Sequence, residues 1–373
     1  MPAASNTMSD ARAWVEVDLG ALVRNARALL AHAQKPLIPM VKADAYGLGA
    51  VRVVRALEAL DPLAYGVSSI AEGIELREAG ITRPIILFTP TVLEAELGGW
   101  KGNDLRELFA NRITPTLATR EAILAWGMLG NEPKYHLAVD TGMHRAGADH
   151  RSAKGALEAA TQFPPDGAFT HLHSSEMDDG SMEEQEERFR VFVSKLRKRP
   201  RLLHVENSGG IVRRSPSAWD CVRPGVFLYG VGSGTKAALQ PEPVVSLRAR
   251  ILERRTIAEG EGVSYGATWK ASRITELATV ACGYADGLRR QLGNTAHALV
   301  HGKVAPIRGV VTMDMAMLDV TDAPCAIGEV ATFLGRDRGA SQSVEQLTEG
   351  SGISPYEMLI GLKLRLPRTY TAS

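Results

Sequence analysis

The sequence predicts an α/β fold, a (β/α)8 TIM-type barrel followed by a C-terminal mostly-β domain. Three observations carry this. Eight short apolar runs recur with helix-period segments between them. The runs are continuous rather than alternating, which suits parallel strands buried on both faces. Past Gly234 the helical segments give way to stretches rich in Val, Thr and Ala with Gly-marked turns.

The elements follow in chain order. AWVEVDL (13–19) alternates like a half-buried strand, and Asp18 can cap the helix ALVRNARALLAHA behind it. The eight runs are PLIPMVK (36–42), AYGVSS (64–69), PIILFTP (84–90), ITPTLAT (113–119), YHLAVDT (135–141), GAFTHLHSS (167–175), LLHVENS (202–208) and CVRPGVFLYG (221–230). GAVRVVRALEALD, AEGIELREAG and REAILAWGMLG fill gaps with helix-period apolar residues. Strand ends recur about every 27 residues, the spacing of βα units. PEPVVSLRARILERRTI, VSYGATW, LATVACGYADGL, HALVHGKVAPIRGVVTMDMAMLDV and EVATFLG then read as strands, with helical pieces at SVEQLTEGSG and SPYEMLIGL. The chain thus divides into a disordered 1–12, a barrel over 13–242 and a β domain over 243–373. Strand 13–19 precedes the barrel runs and is available to pair with the β domain.

Composition narrows the function. With 43 basic and 42 acidic residues the net charge is +1, so no overall field draws nucleic acid or an anionic membrane. The acidic run Glu183–Glu187 and the basic cluster from Lys195 to Arg201 read as two ends of one solvated helix. Cys221, Cys282 and Cys325 are scattered and odd in number, which fits a reducing cytoplasm rather than a disulfide framework. MPAASNTMSDARA has neither the basic nor the apolar region of a signal peptide, and no apolar stretch is long enough to span a bilayer.

In a barrel of this kind, reactive groups sit where strands end. Lys42 ends the first run, and partial desolvation there favours its neutral, nucleophilic amine. His171 and His173 lie on one side of a strand, as a metal pair or as one functional and one structural imidazole. No carboxylate ligand accompanies them, so no metal site is assigned. Arg223, inside the last run, needs either an ion-pair partner or a ring nitrogen to donate to. GVGSGTK (230–236) lacks the Walker spacing but can offer backbone N–H groups to a phosphate, as can Asn207 to Gly210. Tyr265 and Tyr284 stand beside turn glycines, as packing residues or as a base.

VKADAYGLG around Lys42 resembles the pyridoxal-phosphate attachment signature of alanine racemases. VDTGMHRAG, FTHLHSS, HVENSGG, VRPGVFLYG, VSYGATW, CGYADG, VTMDM, SPYE and RLPRTY resemble further segments of that family in the same order, over about Val15 to Tyr370. The resemblance implies a homodimer with shared active sites that interconverts L- and D-alanine by two-base proton transfer on pyridoxal 5'-phosphate. It implies that Lys42 holds the cofactor and handles the D-alanine α-proton, while Tyr265 from the partner subunit handles that of L-alanine. Arg223 would contact the pyridine nitrogen, with His171 linking it toward Tyr265. Tyr46, Ser208, Gly230, Val231 and Tyr356 would hold the phosphate. Arg145 would meet the cofactor's phenolic oxygen and, with the Met313 backbone, the substrate carboxylate. Tyr284, Asp314 and Arg290 would line the entrance.

Three positions depart from the family pattern. Ala138 stands where many members carry a carbamylated lysine that orients the arginine, so Arg145 must be held otherwise. His173 replaces a smaller or apolar residue, and Met315 a common glutamine. The competing readings are a broad-specificity or serine racemase, a pyridoxal-phosphate amino acid decarboxylase, a non-catalytic cofactor carrier and a metal hydrolase. Arg223 argues against the decarboxylase, which uses an acidic pyridine partner. Tyr265 and the β domain argue against the carrier.

Overall fold

A computed structural model describes residues 11–91, 105–130, 133–234 and 237–372. Six apolar runs form regular parallel strands, each paired with the next: Tyr65–Val67, Ile85–Pro90, Ile113–Leu117, His136–Asp140, Gly167–Phe169 and Leu202–His204. The first and last runs are not regular strands. Pro36, Pro39 and Pro224 lack N–H groups, so their ladders are interrupted. Single parallel bridges, Met40 to Gly66 and Leu37 to Val222, take their place. The ring still closes through the Met40 N–H to Pro224 O and the Arg223 N–H to Glu206 O, at 2.8 and 2.9 Å.

Local chemistry sets the helix starts. Asp18 accepts from the Ala21 N–H at 2.9 Å and opens the helix Leu19–Ala33. Ser69 and Glu72 form a capping box at the helix Ile70–Glu78. Glu72 also accepts from the Ala43 N–H at 2.7 Å, so this cap steadies the chain after Lys42. The helix Ser181–Ser194 holds the acidic run, but the basic cluster lies beyond its end, and Glu186 is buried rather than solvated.

The strand Ala13–Asp18 lies in the second sheet, antiparallel to Val245–Ile257 and parallel to Arg368–Thr371. Ala13, Val15 and Val17 bury one face of it. Val245–Ile257 runs 13 residues and pairs also with Thr275–Val280 and Val330–Asp337. Of the expected disordered 1–12, residues 1–10 lie outside the described residues. Arg12 is anchored instead, donating to Asp286 at 2.7 Å. Among the described residues no helix is long and apolar enough to cross a membrane.

Candidate active site

Past Val41 the chain turns left-handed. Ala43, Asp44, Ala45 and Tyr46 have φ of 53, 54, 52 and 56°. An L-residue there costs roughly 1–2 kcal/mol. Side-chain contacts hold the turn: its own Asp44 caps the Ala50 N–H at 2.6 Å, and from outside Arg368 Nε donates to Gly47 O at 2.8 Å. Tyr46 stacks on Tyr229 at 4.6 Å between centroids, and the Tyr229 hydroxyl donates to Met40 O at 2.7 Å.

This geometry puts the Lys42 side chain into a cavity of about 700 Å³ at the barrel mouth. Lys42 is half-buried and has no hydrogen bond or ion pair among the described residues. Burial lowers its pKa, and the Arg145 charge lowers it further, against a smaller opposing effect of Glu72. The amine is thereby biased to its neutral form.

Across the cavity Arg223 is 3% exposed. Its Nη1 donates to His204 Nδ1 and His204 O, both at 2.7 Å, and its Nη2 to Thr170 O at 2.7 Å and Val205 O at 3.0 Å. That leaves Nε–H as the donor without a partner among the described residues. The guanidinium lies over Phe88 and Phe169, at 5.7 and 5.2 Å from the ring centroids. Burial pulls it down to about 10, so it remains a cation at neutral pH. His204 Nε2 is 2.7 Å from His136 Nδ1. Burial lowers the pKa of both imidazoles, with Arg223 adding to the effect, so they are neutral. Among the described residues no hydrogen bond joins Arg223 to His171; the imidazole bonded to Arg223 is that of His204, which leads on to His136. His171 lines the cavity, its pKa lowered to about 3 by burial and then by Arg223. His173 points elsewhere, exposed and 2.7 Å from Ser174 Oγ.

The third wall is rich in donors. Ser208 Oγ accepts from the Gly225 N–H at 2.9 Å, leaving its own O–H free to donate. Asn207 caps the short helix Ser208–Arg213 through the Gly210 N–H at 3.1 Å. The Gly209 and Val226 N–H groups have no acceptor among the described residues, and both residues line the cavity. Gly225 has no room for a side chain, since a Cβ would lie 2.7 Å from the Tyr46 hydroxyl. Burial and then Tyr356 push the Tyr46 hydroxyl up to about 12, so it stays protonated. Tyr356 lines the same wall.

Gly230 and Val231, expected here, do not line the cavity. Their N–H groups donate within their own loop, to Phe227 O and Val226 O at 3.2 Å. Gly225 and Val226, five residues earlier, occupy the wall instead. The signal for them was the Pro-Gly step directly after Arg223. Arg145 and Ala138 line the cavity, and Arg145 has no ion pair among the described residues. Tyr265, Tyr284, Met313, Asp314 and Arg290 are not part of it. Tyr265 is 73% and Met313 54% exposed. Among the described residues no group of three or more His, Cys, Asp or Glu is placed to hold a metal ion.

A half-buried lysine whose pKa is lowered by burial and by Arg145, facing a donor-lined wall at the mouth of a parallel barrel, defines a barrel enzyme built for amine–carbonyl chemistry. Residues 17–233 match the family described as alanine racemase, N-terminal domain, and residues 244–370 the alanine racemase, C-terminal domain. The alanine racemase of Sorangium cellulosum is 38% identical, over 95% of this chain and 98% of that one. The solved alanine racemase from a D-cycloserine-producing Streptomyces lavendulae superposes with a TM-score of 0.87 at 28% identity, over 97% of each chain. That of Bartonella henselae, solved with covalently bound pyridoxal phosphate, gives 0.85 at 28% identity, over 97% of this chain and all of that one. The chain belongs to the alanine racemase family.

Proposed function

We propose that this chain is a pyridoxal 5'-phosphate-dependent alanine racemase, an isomerase that interconverts L- and D-alanine. It works in the cytoplasm as a homodimer whose sites are shared between subunits, and D-alanine is a peptidoglycan precursor. The observation that carries this is Lys42, half-buried, without a partner among the described residues and biased toward the neutral amine by burial and Arg145. The cavity suits the cofactor. The Ser208 hydroxyl, the unpaired Gly209 and Val226 N–H groups, and the Tyr46 and Tyr356 hydroxyls match a phosphate's acceptors. The free Arg223 Nε–H matches a ring nitrogen.

When bound, the cofactor supplies an electron-accepting ring that acidifies the α-carbon of an attached amino acid. Lys42 would hold it covalently and move the α-proton on one face. Tyr265 of a second copy moves the proton on the other face, as inversion at one carbon requires. Its exposure outside its own chain's cavity supports that role. Arg223 would hold the ring nitrogen through its Nε–H and, keeping its own proton, would leave that ring a weaker electron sink. Arg145 and the Met313 N–H of the second copy hold the substrate carboxylate, and Tyr284, Asp314 and Arg290 line the entrance. The division at 242/243 is supported by the strand that starts at Val245.

The test is racemisation of L- and D-alanine, serine and lysine by purified protein with added cofactor. Alanine should be racemised fastest, and Lys42→Ala should abolish both turnover and the visible absorbance of the bound cofactor. A wild-type protein that binds the cofactor but racemises no amino acid would refute the assignment.

A further inference from the structure

Met313 and Tyr284 lie on two adjacent turns of the β domain, away from this chain's own cavity. The Tyr284 N–H donates to Thr312 O and the Ala285 N–H to Met313 O, both at 2.9 Å. Gly283 lets the turns meet, since a Cβ there would lie 2.4 Å from both Thr312 O and Met313 O. Beneath them sits Asp286, whose side chain is wholly buried. Its Oδ1 accepts from Arg12 Nη2 at 2.7 Å and Arg365 Nε at 2.6 Å, and its Oδ2 from the Gly283 N–H at 2.9 Å. The same guanidiniums reach the residue after Met313. Arg12 Nη1 donates to Asp314 O at 3.2 Å, and Arg365 Nη2 to Asp314 Oδ1 at 2.7 Å.

Cations from the two ends of the chain thus converge on one buried carboxylate. Stability alone does not call for this, because an apolar filling serves a fold as well as a buried ion cluster does. What the cluster supplies is direction. Three charge-assisted bonds on one carboxylate, with two more to Asp314, fix both turns at once. The Met313 N–H, like the Asp314 N–H beside it, is left without an acceptor among the described residues, while the Met313 carbonyl and both backbone groups of Thr312 are engaged.

We propose that Asp286, clamped by Arg12 and Arg365, is a positioning residue that aims the Met313 N–H at the carboxylate of an amino acid held in the partner subunit's cavity. This rests on the shared-site reading above. It also makes the segment just before Ala13 a contributor to the neighbouring site. A hydrogen bond to a carboxylate weakens steeply with misalignment. The carboxylate is present in substrate and transition state alike, so its loss falls mainly on KM.

The test uses the cofactor-loaded protein and two variants, Arg12→Ala and Asp286→Asn. Both should raise KM for each alanine enantiomer, by about tenfold for Asp286→Asn and less for Arg12→Ala, with kcat changed less than about threefold. Inhibition by propionate, which keeps the carboxylate and lacks the amine, should weaken by the same factor, and Arg12→Lys should recover part of it. Arg12 is surface-accessible, so its variants test the idea even if Asp286→Asn does not fold. A racemising wild type whose variants keep KM and propionate inhibition, whatever their melting temperatures, overturns this proposal alone. A wild type that racemises nothing overturns the shared-site reading and this proposal with it.

Discussion

At the scale of single residues, Arg223 is a buried cation with no carboxylate at ion-pair distance among the described residues. Neutral acceptors and two aromatic faces hold it, so it keeps its charge and offers one N–H to the site. An acid in its place would protonate the ring nitrogen and strengthen the electron sink. Arg223→Glu should therefore raise pyridoxamine phosphate formation relative to racemisation, read by cofactor analysis after turnover; an unchanged ratio refutes the role. Ala138 offers no amine to carbamylate, although it shares the cavity wall with Arg145. Added bicarbonate should leave the rate unchanged, and a rate dependence removed by substituting residue 138 would contradict this. Glu206 makes a different prediction. It is fully buried, and neither carboxylate oxygen has a well-formed hydrogen bond among the described residues. Burial pushes its carboxyl up to about 7; Ser217, Arg214 and Arg223 oppose the rise and Glu186 adds to it. A raised folded-state pKa stabilises below the unfolded value and loses that contribution as pH climbs through the folded one. Between pH 5.5 and 8 the loss is about 2 kcal/mol. Glu206→Gln should gain stability relative to wild type over that range, measured by denaturant midpoints; parallel pH profiles would exclude it.

At the scale of elements, the left-handed turn after Lys42 is the least ordinary feature. Little in Ala-Asp-Ala-Tyr announces it, because of these only Asp is among the residues, with Gly and Asn, that favour positive φ. The turn is held because Glu72 and Arg368 bond its backbone from outside, while its own Asp44 caps the Ala50 N–H that follows. Ala43 is exposed, so its side chain can be changed without loss of packing. Ala43→Gly should raise stability by roughly 0.5–1 kcal/mol, the left-handed cost relieved less glycine's greater unfolded-state entropy. Ala43→Val should lower it, since a β-branched residue tolerates that φ worst. Chemical denaturation of the two variants checks the pair, and a glycine variant less stable than wild type would show the turn to be unstrained.

At the scale of the whole molecule, the barrel was legible because strands buried on both faces leave unbroken apolar runs, and helices between them leave a 3.6 period. Lys42, His171, Ser208 and Arg223 were legible as polar residues carried by those runs, and Arg145 only through the resemblance of VDTGMHRAG to the family. Three things were not. GVG at 230–232 looks like a phosphate loop, and only the closed geometry shows the Gly230 and Val231 N–H groups bonded within their own loop, the Gly232 N–H bonded to Glu345, and Gly225 and Val226 on the wall. Arg12 lies in a segment without apolar period, and Asp286 in a turn reads as solvated; their pairing spans 274 positions, beyond any local signal. Tyr265 and Met313 are also exposed and outside their own chain's cavity, so a single sequence cannot say what they face. That last point has a direct test. If Lys42 and Tyr265 of different subunits make one site, Lys42→Ala and Tyr265→Ala homodimers are each inactive, yet a mixed dimer holds one intact site and one doubly defective one. Refolding the two variants together at equal amounts gives half mixed dimers, and so about a quarter of the wild-type activity per subunit. If both bases acted within one chain, every subunit would lack one of them and mixing would restore nothing.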